Sequence, residues 1–303
     1  MNKYENSQSK ASILLEALPY VRRFRGSVFV IKYGGSFMDS PDPLVRSRVA
    51  QDLVFLNFVG IKVVVVHGGG KAVTKELESR GLKASFIDGL RVTDSQTIKV
   101  VDSVLNEKVN SEVAQFVSSY DCKVQRLPGK EILRCQKLSQ ELDLGFVGSI
   151  SQVITDPIHD ALESGLMPII SSTAADQLGQ CYNVNADTVA SEVAIALGAR
   201  RLVYLSDVPG LLRNPEDTNT LVSSLPVDQV DSLKAEGIIA KGMLPKVNSA
   251  VQALRSGVNR VHLIDGRLPH SILLEIFTDE GIEGNAFIAD QAQPSDQRIT
   301  IIK

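Results

Sequence analysis

Two stretches of this chain consist of nothing but apolar residues and then stop at glycine. Residues 28–31 (VFVI) run into Lys32, Tyr33, Gly34 and Gly35, and residues 63–66 (VVVV) run into His67, Gly68, Gly69 and Gly70. A short all-apolar segment has no polar face to show to water. As a strand it must be covered on both sides, the situation of a strand inside a parallel sheet. Where each run ends, the missing Cβ atoms let the backbone approach a ligand and turn N–H groups toward an anion. The repeated layout predicts one site at the carboxyl edge of such a sheet. Either loop alone reads equally well as a plain strand-to-helix turn.

The rest of the chain fits that sheet. Helical periodicity through Val45, Val49, Leu53 and Leu56 follows the first run, and a helix over about 71–80 follows the second. A polar segment holding Gly89 and Arg91 then leads to a long helix over about 94–120. Strand and helix in alternation predict βαβ units with right-handed crossovers. Residues 122–154 break the alternation with short runs, EILRCQKL and LGFVGSISQV, that predict small antiparallel strands beside the sheet. Buried strands are expected again at 167–170, 202–205 and 261–264, and helices after NVNAD (183–187), after GMLPK (242–246) and over 270–277. At the start, Ile13, Leu14, Ala17 and Leu18 share a helical face that Tyr20 and Val21 continue past Pro19. That face either packs on its own domain or docks on another subunit, and the pattern alone favours the first.

Composition removes several classes of function. A net charge of −3 argues against a dedicated nucleic-acid binder, though a local cluster of lysines would still hold an anionic ligand. No run approaches the roughly 18 apolar residues of a membrane span, and the polar start MNKYENSQSK has no secretory apolar core. Cys122, Cys135 and Cys181 have no CxxC spacing, which excludes a disulfide framework and fits a reducing cytoplasm. The four histidines form no HxxxH pair, so no protein-held transition metal is expected.

Motif spacing narrows the chemistry further. GGGK at 68–71 is wrongly spaced for a P-loop, and GxGxxG, HRD, DFG and GxSxG strings are absent. What remains is two lysines, Lys32 and Lys246, each next to a glycine loop. Phosphoryl transfer asks a protein mainly to neutralise charge on the moving group and to hold two oxygens in line. Asp187 would organise the lysines; at a helix start it would alternatively serve as a cap.

The same residues carry a resemblance. KYGGS (32–36), VVHGGG (65–70), GLRVTD (89–94), NVNAD (183–187), LSDVPGLL (205–212) and GMLPK (242–246) stand in the order and spacing of the amino-acid kinase family. The chain resembles in particular the branch that acts on N-acetyl-L-glutamate. The resemblance implies an α/β fold: a three-layer α/β/α sandwich around a mainly parallel sheet, with two lobes. It divides the chain into an N-terminal oligomerisation helix (1–25), a lobe for the acyl amino acid (26–180) and a lobe for the nucleotide (181–303). The implied reaction is phosphorylation of the γ-carboxylate by ATP, with Mg²⁺ carried by the nucleotide. By motif position Lys32 and Lys246 would stabilise the moving phosphoryl group, and Asp187 would hold both. Gly34, Gly35 and Gly68 would contact phosphate, and Gly69 and Gly70 the substrate. Arg91 would pair with the substrate α-carboxylate. Asn183, being neutral, would suit an acylated nitrogen. Ser206, Asp207, Gly210 and Leu211 would line the nucleotide pocket.

The N-terminal helix and HSILLEIFTDEG (270–281) resemble the arginine-inhibited, hexameric branch, in which Tyr20, His270 and Glu275 would lie near the effector. The chain departs from the family's GIGT just afterwards, reading GIEGN with the extra acid Glu283. Dimer and hexamer, with and without an arginine effector, stay open at this point. So do a kinase of another carboxylate, such as an N-modified aminoadipate, and a non-catalytic nucleotide or amino-acid sensor.

Overall fold

The computed structural model describes residues 3–34, 42–138, 143–207, 211–214, 216–217, 220–222, 224–239, 243–278 and 298–302. Helix α1 (Lys3–Phe24) precedes β1 (Val28–Tyr33), followed by α2 (Pro43–Phe58), β2 (Lys62–His67) and α3 (Gly70–Ser79). A small hairpin, β3 (Phe86–Ile87) with β4 (Leu90–Arg91), leads to α4 (Ser95–Ser103), a π-helical turn (Val104–Val109) and α5 (Asn110–Ser118). Next come β5 (Val124–Leu127), α6 (Gly129–Ile132), β6 (Leu133–Lys137), β7 (Gly148–Val153), α7 (Asp156–Glu163), β8 (Met167–Ser171), β9 (Thr173–Ala175) and β10 (Cys181–Asn183). The last part holds α8 (Ala186–Ala196), β11 (Arg201–Ser206), β12 (Ser224–Pro226), α9 (Val230–Ala235), α10 (Leu244–Arg255), β13 (Arg260–Asp265), α11 (Ser271–Phe277) and β14 (Arg298–Ile302).

The main sheet has the order β12-β14-β13-β11-β1-β2-β8-β5. All neighbours are parallel except β12 and β14. Strand β1 sits in the middle, and its alternating side chains enter two different cores. Val30 packs with Val64, Val66, Leu202 and Tyr204 under α8 and α10. Phe29 and Ile31 pack with Val63, Val65, Val203 and Leu205 under α2, α3 and α5. Two covered faces are what all-apolar strands require, and they make a three-layer α/β/α sandwich. A second sheet, β10-β9-β6-β7, contains the expected antiparallel hairpin β6–β7.

Two expectations need correction. Residues 124–127 are not part of the small antiparallel sheet: β5 runs parallel to β8 at the edge of the main sheet, where Leu127 pairs with Ile170 and is buried. Helix α1 begins earlier than its apolar pattern, and only the later part of its face, at Tyr20 and beyond, packs on the described residues of its own chain. Ile13, Leu14, Leu15 and Leu18 are 48–70% exposed, whereas the far end anchors through half-buried Tyr20 and through buried Phe24, set edge-on to Phe29 at 5.4 Å.

Candidate active site

Lys32 projects from the carboxyl end of β1, Asp187 lies in the first turn of α8, and Lys246 in the first turn of α10. The fold brings the three together. Lys32 Nζ is 3.0 Å from Asp187 Oδ1, and Lys246 Nζ donates to Asp187 Oδ2 at 2.7 Å. All three side chains are 11–12% exposed. Lys32 meets Oδ1 as a close ion pair. Burial pushes the Asp187 carboxyl up, but the two ammonium charges outweigh it and hold the group at about 2. Burial lowers Lys246, and Asp187 only partly offsets that. The ammonium of Lys246 also lies 5.7 Å from the centre of the Tyr204 ring.

The capping alternative for Asp187 is not what the chain does. Asn185 caps α8, its side-chain oxygen accepting from Asp187 N (2.8 Å) and Thr188 N (3.3 Å). The carboxylate of Asp187 is thereby left free for the lysines. Asn185 was missed in the sequence; its signal was the NxNxD spacing.

Beside this triad is a cavity of about 160 Å³ lined by Gly68, Gly69, Gly70, Arg91, Asn183 and Asn185. Arg91 Nη2 donates to Gly70 O (2.7 Å) and Thr74 Oγ1 (2.9 Å), and Phe86 covers the guanidinium at 4.7 Å. Its Nη1 is buried with no partner among the described residues. An unmet buried donor costs about 1–3 kcal/mol, so it marks a place where an acceptor is due. Asn183 Nδ2 donates to Thr93 Oγ1 at 3.3 Å. Thr93 in turn holds the loop before β7, through Phe146 N to Thr93 O at 2.6 Å. Only glycine fits at 145: φ is +67° and a Cβ would fall 2.1 Å from Thr93 O. A more apolar cavity of about 470 Å³ adjoins, where Leu90 and Val147 face Asn185, Thr188, Leu244 and Pro245.

The other predicted residues divide. Gly34 ends beside Lys32, where a Cβ would meet Leu205 O at 3.0 Å and Lys32 Nζ at 3.4 Å. Gly35, Gly210 and the GIEGN segment lie outside the described residues. Ser206 ends β11 and is buried, Asp207 follows and is exposed, and Leu211 is buried in the core. The neighbouring strand end carries Asp265, gripped by Arg267 at 2.6 Å. The expected effector residues belong to another part of the molecule, α1 and α11, which pack together. Tyr20 is half-buried. His270 caps α11 in a left-handed conformation (φ +56°) and lies 2.6 Å from Asp52, whose carboxyl burial raises to about 6. Glu275 is buried and bonded to His262 Nδ1 at 2.5 Å, and burial pushes its carboxyl up to about 8.

What the triad offers is two cations and two helix starts converging at one sheet edge, a place suited to a group gaining negative charge. An acetylglutamate kinase from Syntrophomonas wolfei is 44% identical over 279 residues, spanning 91% of this chain and 96% of that protein. An acetylglutamate kinase from Synechocystis sp. is 43% identical over 286 residues, spanning 94% of this chain and 95% of its own. In fold, the chain is similar to N-acetylglutamate synthase from Neisseria gonorrhoeae, with a TM-score of 0.79 at 24% identity over 96% of this chain and 63% of that one. It is also similar to carbamate kinase from Giardia lamblia, with a TM-score of 0.60 at 13% identity over 91% of this chain and 99% of that one. The sequence model of the amino acid kinase family matches residues 27–265, and the chain belongs to that family.

Proposed function

We propose that this protein transfers the γ-phosphoryl group of ATP to the γ-carboxylate of N-acetyl-L-glutamate, giving N-acetylglutamyl 5-phosphate and ADP in arginine biosynthesis. One observation carries the reading: a single buried carboxylate, Asp187, holds two lysines within 3.0 Å, beside a cavity where Arg91 keeps an unmet donor. The relatives named acetylglutamate kinase support the choice of substrate.

In this reading a γ-carboxylate oxygen attacks the terminal phosphorus as the bond to the β-phosphate oxygen breaks. Lys32 and Lys246 neutralise the charge that spreads over the moving group, and Asp187 keeps both aimed at it. Backbone N–H groups of Gly34 and Gly35 serve the phosphates and those of Gly69 and Gly70 the substrate, while Gly68, whose own N–H donates to Tyr33 O at 3.3 Å, lies along the phosphate side. Arg91 Nη1 meets the α-carboxylate, a charge-assisted bond that lysine would not reproduce. Asn183 offers a neutral amide to the acylated nitrogen. Ser206, Asp207, Gly210 and Leu211 mark the nucleotide side.

Mg²⁺ would travel with the nucleotide and screen its phosphate charge. Among the described residues no group of three or more His, Cys, Asp or Glu side chains is gathered to hold a metal. Residues 26–180 form the acyl amino acid lobe in this proposal and 181–303 the nucleotide lobe. The exposed leucines of α1 support a homo-oligomer, dimer or hexamer, built through residues 1–25. Arginine remains a proposed effector at Tyr20, His270 and Glu275. Among the described residues no helix is long and apolar enough to cross a membrane, and the proposed setting is the cytoplasm.

The test is ADP release with ATP and Mg²⁺, comparing N-acetyl-L-glutamate with glutamate, aspartate and N-acetylaminoadipate. Turnover with N-acetyl-L-glutamate, lost in Lys32→Ala and Lys246→Ala, is expected. Folded protein that turns over none of the four acids would refute the kinase reading.

A further inference from the structure

His67 ends β2 and is fully buried, yet the chemistry above gives it no task. Its ring has two neighbours. Nδ1 lies 2.8 Å from the carbonyl oxygen of Gly68, and Nε2 lies 3.0 Å from Asn110 Nδ2. A carbonyl only accepts, so Nδ1 carries the proton and donates it. An amide nitrogen only donates, so Nε2 accepts. The Asn110 amide is itself fixed: Arg126 Nε donates to its Oδ1 at 2.9 Å, and its Nδ2 also reaches Ile169 O at 3.0 Å. Both sides of the ring therefore select one tautomer. Burial, with the nearby Arg126 charge, lowers the ring to about 4 against the pull of Gly68 O, so it is neutral at pH 7.

The consequence lies in the next peptide. Its plane is rigid, so aiming the Gly68 carbonyl at the ring aims the Gly69 N–H the opposite way. Gly68, Gly69 and Gly70 line the Arg91 cavity. Gly69 is backed from behind by the π-helical turn, where an added Cβ would come within 2.5 Å of Leu105 Cδ2 and 3.3 Å of Val109 Cγ2. The residue directly after that turn is Asn110, so one irregular piece of helix both backs the loop and sets the ring.

We propose that His67 is a positioning residue: as its Nδ1–H tautomer it fixes the Gly68–Gly69 peptide so that the Gly69 N–H faces the acidic substrate, with Asn110 and Arg126 holding that tautomer. This rests on the reading of the second glycine loop as substrate-binding.

Kinetics with N-acetyl-L-glutamate and ATP on the full chain separate this from space-filling. His67→Leu fills the site without a donor and is expected to raise KM for the acid about 10- to 100-fold while KM for ATP stays near wild type. His67→Asn places an amide N–H where Nδ1–H was and is expected to restore most of the loss. Wild-type KM in His67→Leu, or an Asn variant no better than Leu, would overturn the proposal. Nitrogen NMR of the wild-type ring needs neither variant nor turnover. The Nδ1–H form is expected at pH 7, and an Nε2–H or doubly protonated ring would overturn the proposal. A wild-type protein inactive on every acid would count against the kinase reading, and the ring measurement would still decide the tautomer.

Discussion

Asp187→Asn is the sharpest perturbation of this site, because it keeps the shape and removes one charge. In the folded protein the carboxyl titrates at about 2 against an ordinary 3.8. That difference corresponds to about 2 kcal/mol of folding free energy. Since the folded value is the lower one, the contribution is complete above pH 3.8 and disappears as the pH falls through about 2. The substitution also leaves Lys32 and Lys246, each 12% exposed, without their anion. Breaking a buried pair by removing one partner costs about 3–5 kcal/mol, and the residual exposure of the lysines toward the cleft puts the expectation near the low end. Activity suffers more than stability. With the lysines no longer converging, kcat is expected to fall about 10²- to 10³-fold. Lys246 supplies a second signature. Asp187 is what raises its proton affinity against burial, so in the variant Lys246 loses its proton at lower pH. The alkaline limb of kcat should therefore move toward acid. ADP release across pH, with thermal denaturation of the same samples, measures both. A variant whose kcat stays within about tenfold of wild type, with an unmoved alkaline limb, would refute the claim that Asp187 organises the lysines.

Four further outcomes follow from other parts of the structure. Arg91→Lys loses the Nη1 donor and the stacking on Phe86; KM for the acid should rise about 10- to 100-fold with kcat little changed, by steady-state kinetics. Gly69→Ala drives a methyl into Leu105 Cδ2 at 2.5 Å and should lower stability by about 1–3 kcal/mol, with Leu105→Ala recovering part of the loss in a denaturant titration. Leu14→Ser with Leu15→Ser touches only exposed positions; turnover per chain should persist while light scattering reports a smaller particle than wild type. Glu275 titrates at about 8 folded against an ordinary 4.5, so the folded state binds the extra proton and stability should decline as pH rises between those values; Glu275→Gln should flatten that slope in thermal melts.

How much of this was legible depends on what each signal measures. Periodicity reports burial, and it found β1, β2, β8, β11 and β13 because their side chains are covered on both faces. It mistook the first part of α1, where Ile13, Leu14 and Leu18 are exposed although Tyr20 further along packs on the core. It misplaced residues 124–127, since a strand at a sheet edge alternates like a hairpin strand and only its partner tells them apart. The glycine loops pointed to Lys32 and Lys246 and the family resemblance to Arg91, but neither could reveal that Asn185 takes the cap, because Asn and Asp are about equally good there. Nor did the sequence show the π-helical turn, in which Asn106 is buried and directly after which Asn110 is buried.

The triad itself bears on the choice between an enzyme and a binding module or assembly protein. A buried ion triplet is a poor way to stabilise a fold, since well-packed apolar residues in its place are often neutral or better. The surroundings of Asp187 would have allowed that: Tyr204, Val189 and Val247 are all fully buried close by in the chain's own core. Burial also works against Lys246, whose proton affinity it depresses even with Asp187 in contact. A sensor that only holds a nucleotide is served by exposed cations, which bind phosphate without that penalty. Two lysines pinned to one carboxylate give something exposed cations do not, a positive charge already in place before the charge it must meet has formed. That is what stabilising a transition state requires and what binding alone does not. An Asp187→Asn protein that binds ATP as wild type does but turns over at a small fraction of its rate is the outcome this argument demands, and equilibrium dialysis beside the kinetics would show whether the two properties separate.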